Sequence, residues 1–316
     1  MAPRKSKKAS APVLAELPVD ELILGLGALL EQVANPLLDD VEADEALDKA
    51  KEVFYKACDA PSKKKRIELA KKAIAISPLC ADAYVLLAEH EEWASDAQLD
   101  LYKKAEEAGR KSIGGQYDEL AGEFWGWIET RPFMNAKLGL AVCLWERGNR
   151  DEALGHLREL LRLNPNDNQG VRSILAAYLL ECSLHDELAA LLKAYKEDTS
   201  ADLSFSRALL AFRQHGDSAK SRKALAAAIE QNPHVRAYLA GEKTLPESLP
   251  PFYSPGADSE AQHYIDSFKK GWDETPGAID WLRGFEETAE KAAAVKQAPR
   301  AAKAKPREKI GLKAAE

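Results

Sequence analysis

Between Ile67 and Ile229 apolar side chains return every three or four positions with charged residues between them, and no stretch shows the apolar–polar alternation of a strand. That spacing lines up apolar residues on one face of a helix, so the chain reads as a succession of amphipathic helices. Two of the apolar runs close on Asn-Pro pairs, Asn164-Pro165 and Asn232-Pro233, whose prolines lie 68 residues apart. This is twice the roughly 34-residue period of a tetratricopeptide unit, a helix–turn–helix that buries its apolar face only by stacking on its neighbours.

Counting back from each proline tests the frame. The unit Met134–Pro165 places Leu140, Ala141 and Leu144 on its first helix and Ala153 and Leu157 on its second, with Gly148-Asn149 at the turn. Glycine suits that turn because it accepts the left-handed conformation that ends a helix. The next unit begins at Asn168 with Val171, Ile174, Leu175 and Tyr178, and has Thr199 where the closing proline is due. A third, Asp202–Pro233, carries Phe205, Ala208, Leu209 and Phe212, then Leu225, Ala228 and Ile229. Upstream, Pro78 closes a further unit, but it precedes Pro165 by 87 residues, a surplus of 19 over two periods. The surplus is assigned to about residues 92–133, where a helix ended by Gly114-Gly115 is followed by the aromatic stretch Phe124, Trp125, Trp127 and Phe133. Core packing is the preferred reading of those aromatics over partner recognition.

The expected fold class is all-α, a tetratricopeptide-like helical-hairpin solenoid with a C-terminal helical cap. The expected boundaries are a basic disordered tail (1–12), an N-terminal helical segment (13–44), repeats (45–242), a Pro-rich connector with helical cap (243–288) and a basic Ala/Lys/Pro tail (289–316). Pro246, Pro250, Pro251 and Pro255 forbid continuous helix in the connector. Beyond it, Ser259 and Thr275-Pro276 read as helix starts, and Trp272 and Trp281 as residues covering the open end of the stack.

Composition agrees: 46% hydrophobic and 30% charged residues over 316 positions suffice for a sizeable core. Cys58, Cys80, Cys143 and Cys182 are 22, 63 and 39 residues apart, which fits neither a metal pair nor a compact disulfide framework. Free thiols in a reducing compartment are expected. The apolar stretch from Leu22 to Leu38 is interrupted by Glu31 and Gln32 and is too short for a bilayer helix, and the basic opening does not lead into a signal peptide. No membrane association and a cytoplasmic location follow as expectations. Residues 1–12 carry +4 and residues 291–316 carry +6, which leaves −17 for the middle of a chain whose net charge is −7. Such tails can be drawn to nucleic acid by counterion release, although without interleaved aromatics they offer no base stacking.

Several segments carry a family resemblance: "AISPLCADAYVLLAEHEEWASDAQLDLYKKAEEAG", "LGLAVCLWERGNRDEALGHLRELLRLNP", "ALAAAIEQNPHVRAYLAGEKTLP" and "SPGADSEAQHYIDSFKKGWDETPGAIDWL". Together they resemble the suppression-of-tumorigenicity-seven family and its bacterial tetratricopeptide relatives over roughly two-thirds of the chain. Asn232-Pro233-His234-Val235 and Asp258-Ser259-Glu260-Ala261 are the most distinctive parts. The resemblance implies a helical-repeat fold and supplies no catalytic residues. Animal members look membrane-associated through an N-terminal segment that has no adequate counterpart here.

Nothing in the sequence signals an enzyme. The six histidines are scattered, His90-Glu91-Glu92 lacks the second histidine of a helical zinc motif, and there is no phosphate loop, nucleophile elbow or dinucleotide fingerprint. No catalytic residue, metal ligand or cofactor is therefore assigned. Stacked hairpins present their first helices on a concave face. The exposed steps of those helices nominate Asn135, Trp145, Gln169, Arg172, Ser206, Arg207 and Arg213 as contacts to a partner protein or peptide, with the arginines suited to acidic groups. Alternatively, the arginines pair with acids of the chain itself. The expected function is thus a non-enzymatic adaptor or scaffold, or else a nucleic-acid-associated protein working through its tails.

Overall fold

The computed structural model describes residues 44–285; the tails and most of the N-terminal segment read from the sequence lie outside them. The described residues are all-α and contain no strand. Their helices pack in adjacent pairs, as a helical-repeat solenoid requires. The chain divides after Asn168 into two compact units.

In the first unit α1 (44–58) is followed by α2 (Lys63–Ile76), α3 (Ala81–Ala88), α4 (Asp96–Ile113), α5 (Arg131–Glu146) and α6 (Arg150–Leu163). From α2 onward each helix packs on the next, and α3 also packs on α5. Small side chains let these backbones approach: Ala50, Ala57, Ala70, Ala73 and Ala83 are fully buried where α1, α2 and α3 meet. Between α4 and α5 the fit is tighter still. A Cβ built on Gly109 would lie 2.8 Å from the Cα of Phe133, and one on Gly139 would lie 2.2 Å from the ring of Tyr102.

Local polar groups set the helix ends. Ser62 Oγ accepts from the Lys65 amide at 3.3 Å and Ser95 Oγ from the Gln98 amide at 3.1 Å, satisfying donors that a helix start leaves open. Pro78 and Pro165 each follow a C-cap, Ser77 and Asn164, whose amide still reaches back four residues. The surplus segment consists of the 18-residue α4 and three 3₁₀ turns, Gly114–Tyr117, Phe124–Gly126 and Ile128–Thr130. Its aromatics divide. Phe124 and Phe133 are buried edge-on against Tyr117, Trp125 lies under the Arg131 guanidinium, and Trp127 is exposed.

The second unit holds α7 (Val171–Glu181), α8 (His185–Ala194), α9 (Ala201–His215), α10 (Ala219–Gln231), the short α11 (Val235–Leu239), α12 (Asp258–Asp273) and α13 (278–285). Pro233 follows Asn232, the C-cap of α10, just as Pro165 follows Asn164 at the end of α6. The prolines that set the period thus close equivalent hairpins, α5–α6 and α9–α10. The proline-rich connector contains no helix between residues 240 and 257. Then α12 returns across the unit and packs on α7 and α9, the first helices of the two hairpins. Two start signals act differently from their sequence reading. Ala257 is the N-cap of α12, so Ser259 lies within its first turn, and the Thr275 hydroxyl donates back to Gly271 O at 2.6 Å instead of capping α13.

Candidate interaction surfaces

The first-helix face of the second unit is occupied by the chain itself. Tyr264, Ile265, Phe268 and Trp272 project from α12 at helical spacing and are buried, with Tyr264 against Phe205 of α9 and Trp272 donating to Tyr264 Oη at 2.7 Å. At Gly271 the helices are in ordinary contact, since a Cβ there would sit 3.4 Å from Leu180 and 3.8 Å from Leu209.

This cover explains the fate of the predicted contact residues. Arg213 donates to Leu180 O at 2.7 Å, Gly271 O at 2.8 Å and Thr275 Oγ1 at 2.8 Å, clamping the C-terminal ends of α7 and α12. A cation is favourable there because those carbonyls form the negative end of the helix dipole. Arg207 donates to Tyr195 O and Asp198 O, both at 2.8 Å, just beyond the end of α8. Arg172 pairs with the Asp198 carboxylate at 2.6 Å and lies over the Tyr195 ring. Ser206 is fully buried, its hydroxyl donating to Asp202 O at 2.5 Å. Gln169, in the loop before α7, is half-buried. Arg172 and Arg207 therefore meet at Asp198, while Arg213 serves the opposite end of α9.

Acids line the same region. Burial pushes the Asp202 carboxyl up to about 6 despite a hydrogen bond from Ser173. At Asp198 burial acts in the same direction, but donors from Ser200 and Arg172 outweigh it and hold the carboxyl below its ordinary value. Glu260, only 4% exposed, accepts from the Ala201 amide at 3.0 Å, Asn232 Nδ2 at 2.9 Å and the Gly256 amide at 2.7 Å. It thereby caps α9 and ties α12 to the Asn-Pro corner.

In the first unit the two predicted contacts diverge. Trp145 is 4% exposed beneath the Arg150 guanidinium and offers nothing to a partner, whereas Asn135 faces solvent. Asn135 lines one of two adjoining cavities built on first helices, with Lys51 and Tyr55 of α1, Asp82 of α3 and Ile128 of the last 3₁₀ turn. The second cavity shares Lys51, Asp82, Glu129 and Pro132 with it and extends to Asp44 and Leu47. Large apolar groups stand open at the mouth, Tyr55 at 59% exposure and Ile128 at 62%. Sequence periodicity nominated Asn135 but missed Tyr55, Asp82 and Ile128. Tyr55 and Asp82 belong to first helices upstream of the best-matched unit, and Ile128 to a turn that no repeat frame covers.

Asp82 sets the electrostatics of this region. Burial raises its carboxyl to about 6, opposed by the Lys51 ammonium. It accepts no hydrogen bond and enters no ion pair among the described residues, while Lys51 pairs with Asp48 at 3.4 Å. A separate ionic cluster lies deeper, where Lys137 holds Glu159 at 2.7 Å and Glu106 at 3.2 Å and Tyr117 Oη bonds Glu159. Each charge in that cluster has a partner, as buried charges require. Among the described residues no group of three or more His, Cys, Asp or Glu is placed to hold a metal ion. No described helix is long and apolar enough to cross a membrane.

A model of the ST7 protein family matches residues 38–303, most of the chain and both units. The chain belongs to the ST7 protein family. It is 30% identical over 233 residues to a suppressor of tumorigenicity 7 protein of Macaca fascicularis, covering 66% of this chain and 43% of that protein. It is also 30% identical over 255 residues to a suppressor of tumorigenicity 7 protein-like of Bos taurus, covering 73% and 46% respectively. The chain thus spans less than half the length of these curated relatives. In this ST7-family chain the two most distinctive sequence segments meet each other. Asn232 binds Glu260, and Asp258 accepts from Tyr238 Oη at 2.9 Å and from Lys243 and Gln262 at 2.8 Å. Their distinctiveness therefore has a structural use, fixing α12 on its hairpins.

Proposed function

We propose that this chain is a non-enzymatic adaptor that holds a partner protein or peptide on the first-helix face of its first unit. One observation carries the reading: adjoining cavities on α1, α3 and α5 leave Tyr55, Ile128 and Asn135 open to solvent. Exposed aromatic and aliphatic side chains around a recess are the usual anchors of protein recognition. Arg172, Arg207 and Arg213 leave the binding set, because internal carbonyls and Asp198 engage them. A cytoplasmic setting belongs to the same proposal, supported by four free thiols. The alternative of nucleic-acid binding rests on basic tails outside the described residues.

Photo-crosslinking tests the reading in the full-length chain. A photoreactive amino acid in place of Ile128 is expected to yield a discrete adduct with a macromolecular partner, while the same group in place of exposed Lys223 yields none. Identical adducts from both positions would remove the first-unit face from consideration.

A further inference from the structure

The adaptor reading leaves open what kind of partner the first unit takes, and the inference here rests on that reading. Asp82 provides the lead. It stands in the first turn of α3, lines both cavities, and is unpartnered among the described residues. Glu129 lies beside it with no partner among the described residues, and Asp44 lies at the far edge. The cations of the same wall are already engaged. Lys51 pairs with Asp48, and Arg131 donates to Trp125 O at 3.1 Å while covering the Trp125 ring. The recess therefore sets three carboxylates, Asp44, Asp82 and Glu129, against the two cations Lys51 and Arg131, between the apolar groups Leu47, Tyr55, Ile128 and Pro132.

A carboxylate partly withdrawn from water is costly unless paired, and the incoming group that best relieves the half-buried Asp82 is a Lys or Arg side chain. The second unit shows what shape its carrier takes. There the face formed by first helices is filled by an amphipathic helix, α12, through residues at positions i, i+4 and i+8 (Tyr264, Phe268 and Trp272). We propose that the first unit binds an amphipathic helix of a partner protein, whose aromatic or aliphatic stripe contacts Tyr55 and Ile128 and whose single cation pairs with Asp82.

Synthetic 16-residue helical peptides test this by fluorescence anisotropy against the full-length chain. All carry an aromatic–aliphatic stripe at i, i+4 and i+8, and they differ only in a flanking Lys, Gln or Glu. The Lys peptide is expected to bind at least about tenfold more tightly than the Glu peptide, and Asp82→Asn to abolish that difference. Asp82→Lys is expected to reverse the preference, and this rescue distinguishes lost charge pairing from a damaged fold. Equal affinity for Lys and Glu peptides, or preference unchanged in Asp82→Lys, overturns the cationic-helix proposal. So does an Ile128 crosslink that maps to residues 1–43 or 286–316 of the chain or to a second copy. If the peptides fail while the Ile128 crosslink still captures a different protein, the adaptor reading stands without this partner class.

Discussion

The two units follow the same hairpin plan and treat its first-helix face in opposite ways. In the second, α12 lies on α7 and α9, and the arginines that sequence assigned to a partner clamp internal carbonyls. In the first, the corresponding face carries open cavities, exposed Tyr55 and Ile128, and an Asp82 with no hydrogen-bond or ion-pair partner among the described residues. The comparison teaches that a repeat face is a site only after the rest of the chain has been placed. A helix 40 or more residues away in sequence, as α12 is from all of α9, can fill it first.

The contrast breaks most sharply at Trp272. It is fully buried and hydrogen-bonded to Tyr264, so Trp272→Ala is expected to cost about 3–5 kcal/mol in urea unfolding followed by circular dichroism. A loss under about 1 kcal/mol would mean that α12 is not integral to the second unit. Next comes the pH dependence of Asp82 and Asp202, one in each unit, both held at about 6 in the fold against 3.8 in the open chain. Because the folded value is the raised one, each contributes stability that is complete below about pH 4 and lost as pH climbs through 6. A contribution of up to about 3 kcal/mol per residue is expected, and Asp82→Asn or Asp202→Asn should flatten the stability–pH curve between pH 4 and 7 accordingly.

Glycines sharpen the comparison further. Gly109→Ala drives a methyl to 2.8 Å from the Phe133 backbone and should cost about 1–2 kcal/mol net of the helix propensity gained. Gly271→Ala meets Leu180 at an ordinary 3.4 Å and should change the melting temperature little. Smallest of all, Ile128→Ser should alter stability by less than about 0.5 kcal/mol, since the side chain is 62% exposed, while it weakens binding of the helical peptides in fluorescence anisotropy.

Most of this architecture was legible because its determinants are local. Asn164-Pro165 and Asn232-Pro233 mark equivalent helix ends, and Gly148 and Gly216 adopt positive φ where the turns were expected. What the sequence could not disclose depends on distant partners. Arg213 looks like a surface cation until Leu180 O and Gly271 O arrive from two other helices. Asp82 looks like an ordinary acid in a helix's first turn until its neighbours leave it half-buried and, among the described residues, unpaired. The aromatics of Phe124–Phe133 gave the right kind of warning, since two of the four, Phe124 and Phe133, are core, but spacing alone could not say that Ile128 among them would face outward.

The bond from Asn232 to Glu260, with Glu260 also holding the Ala201 amide, sets an order of events at the ribosome. At about 5–20 residues per second, translation needs seconds to extend from Asn232 to Glu260, and longer to free α12 from the exit tunnel. During that interval α9 has no cap from Glu260 and Phe205 has no Tyr264 to pack against. The nascent second unit therefore exposes apolar chain, Phe205 included, until α12 emerges, and a stop codon before Asp258 would make that exposure permanent.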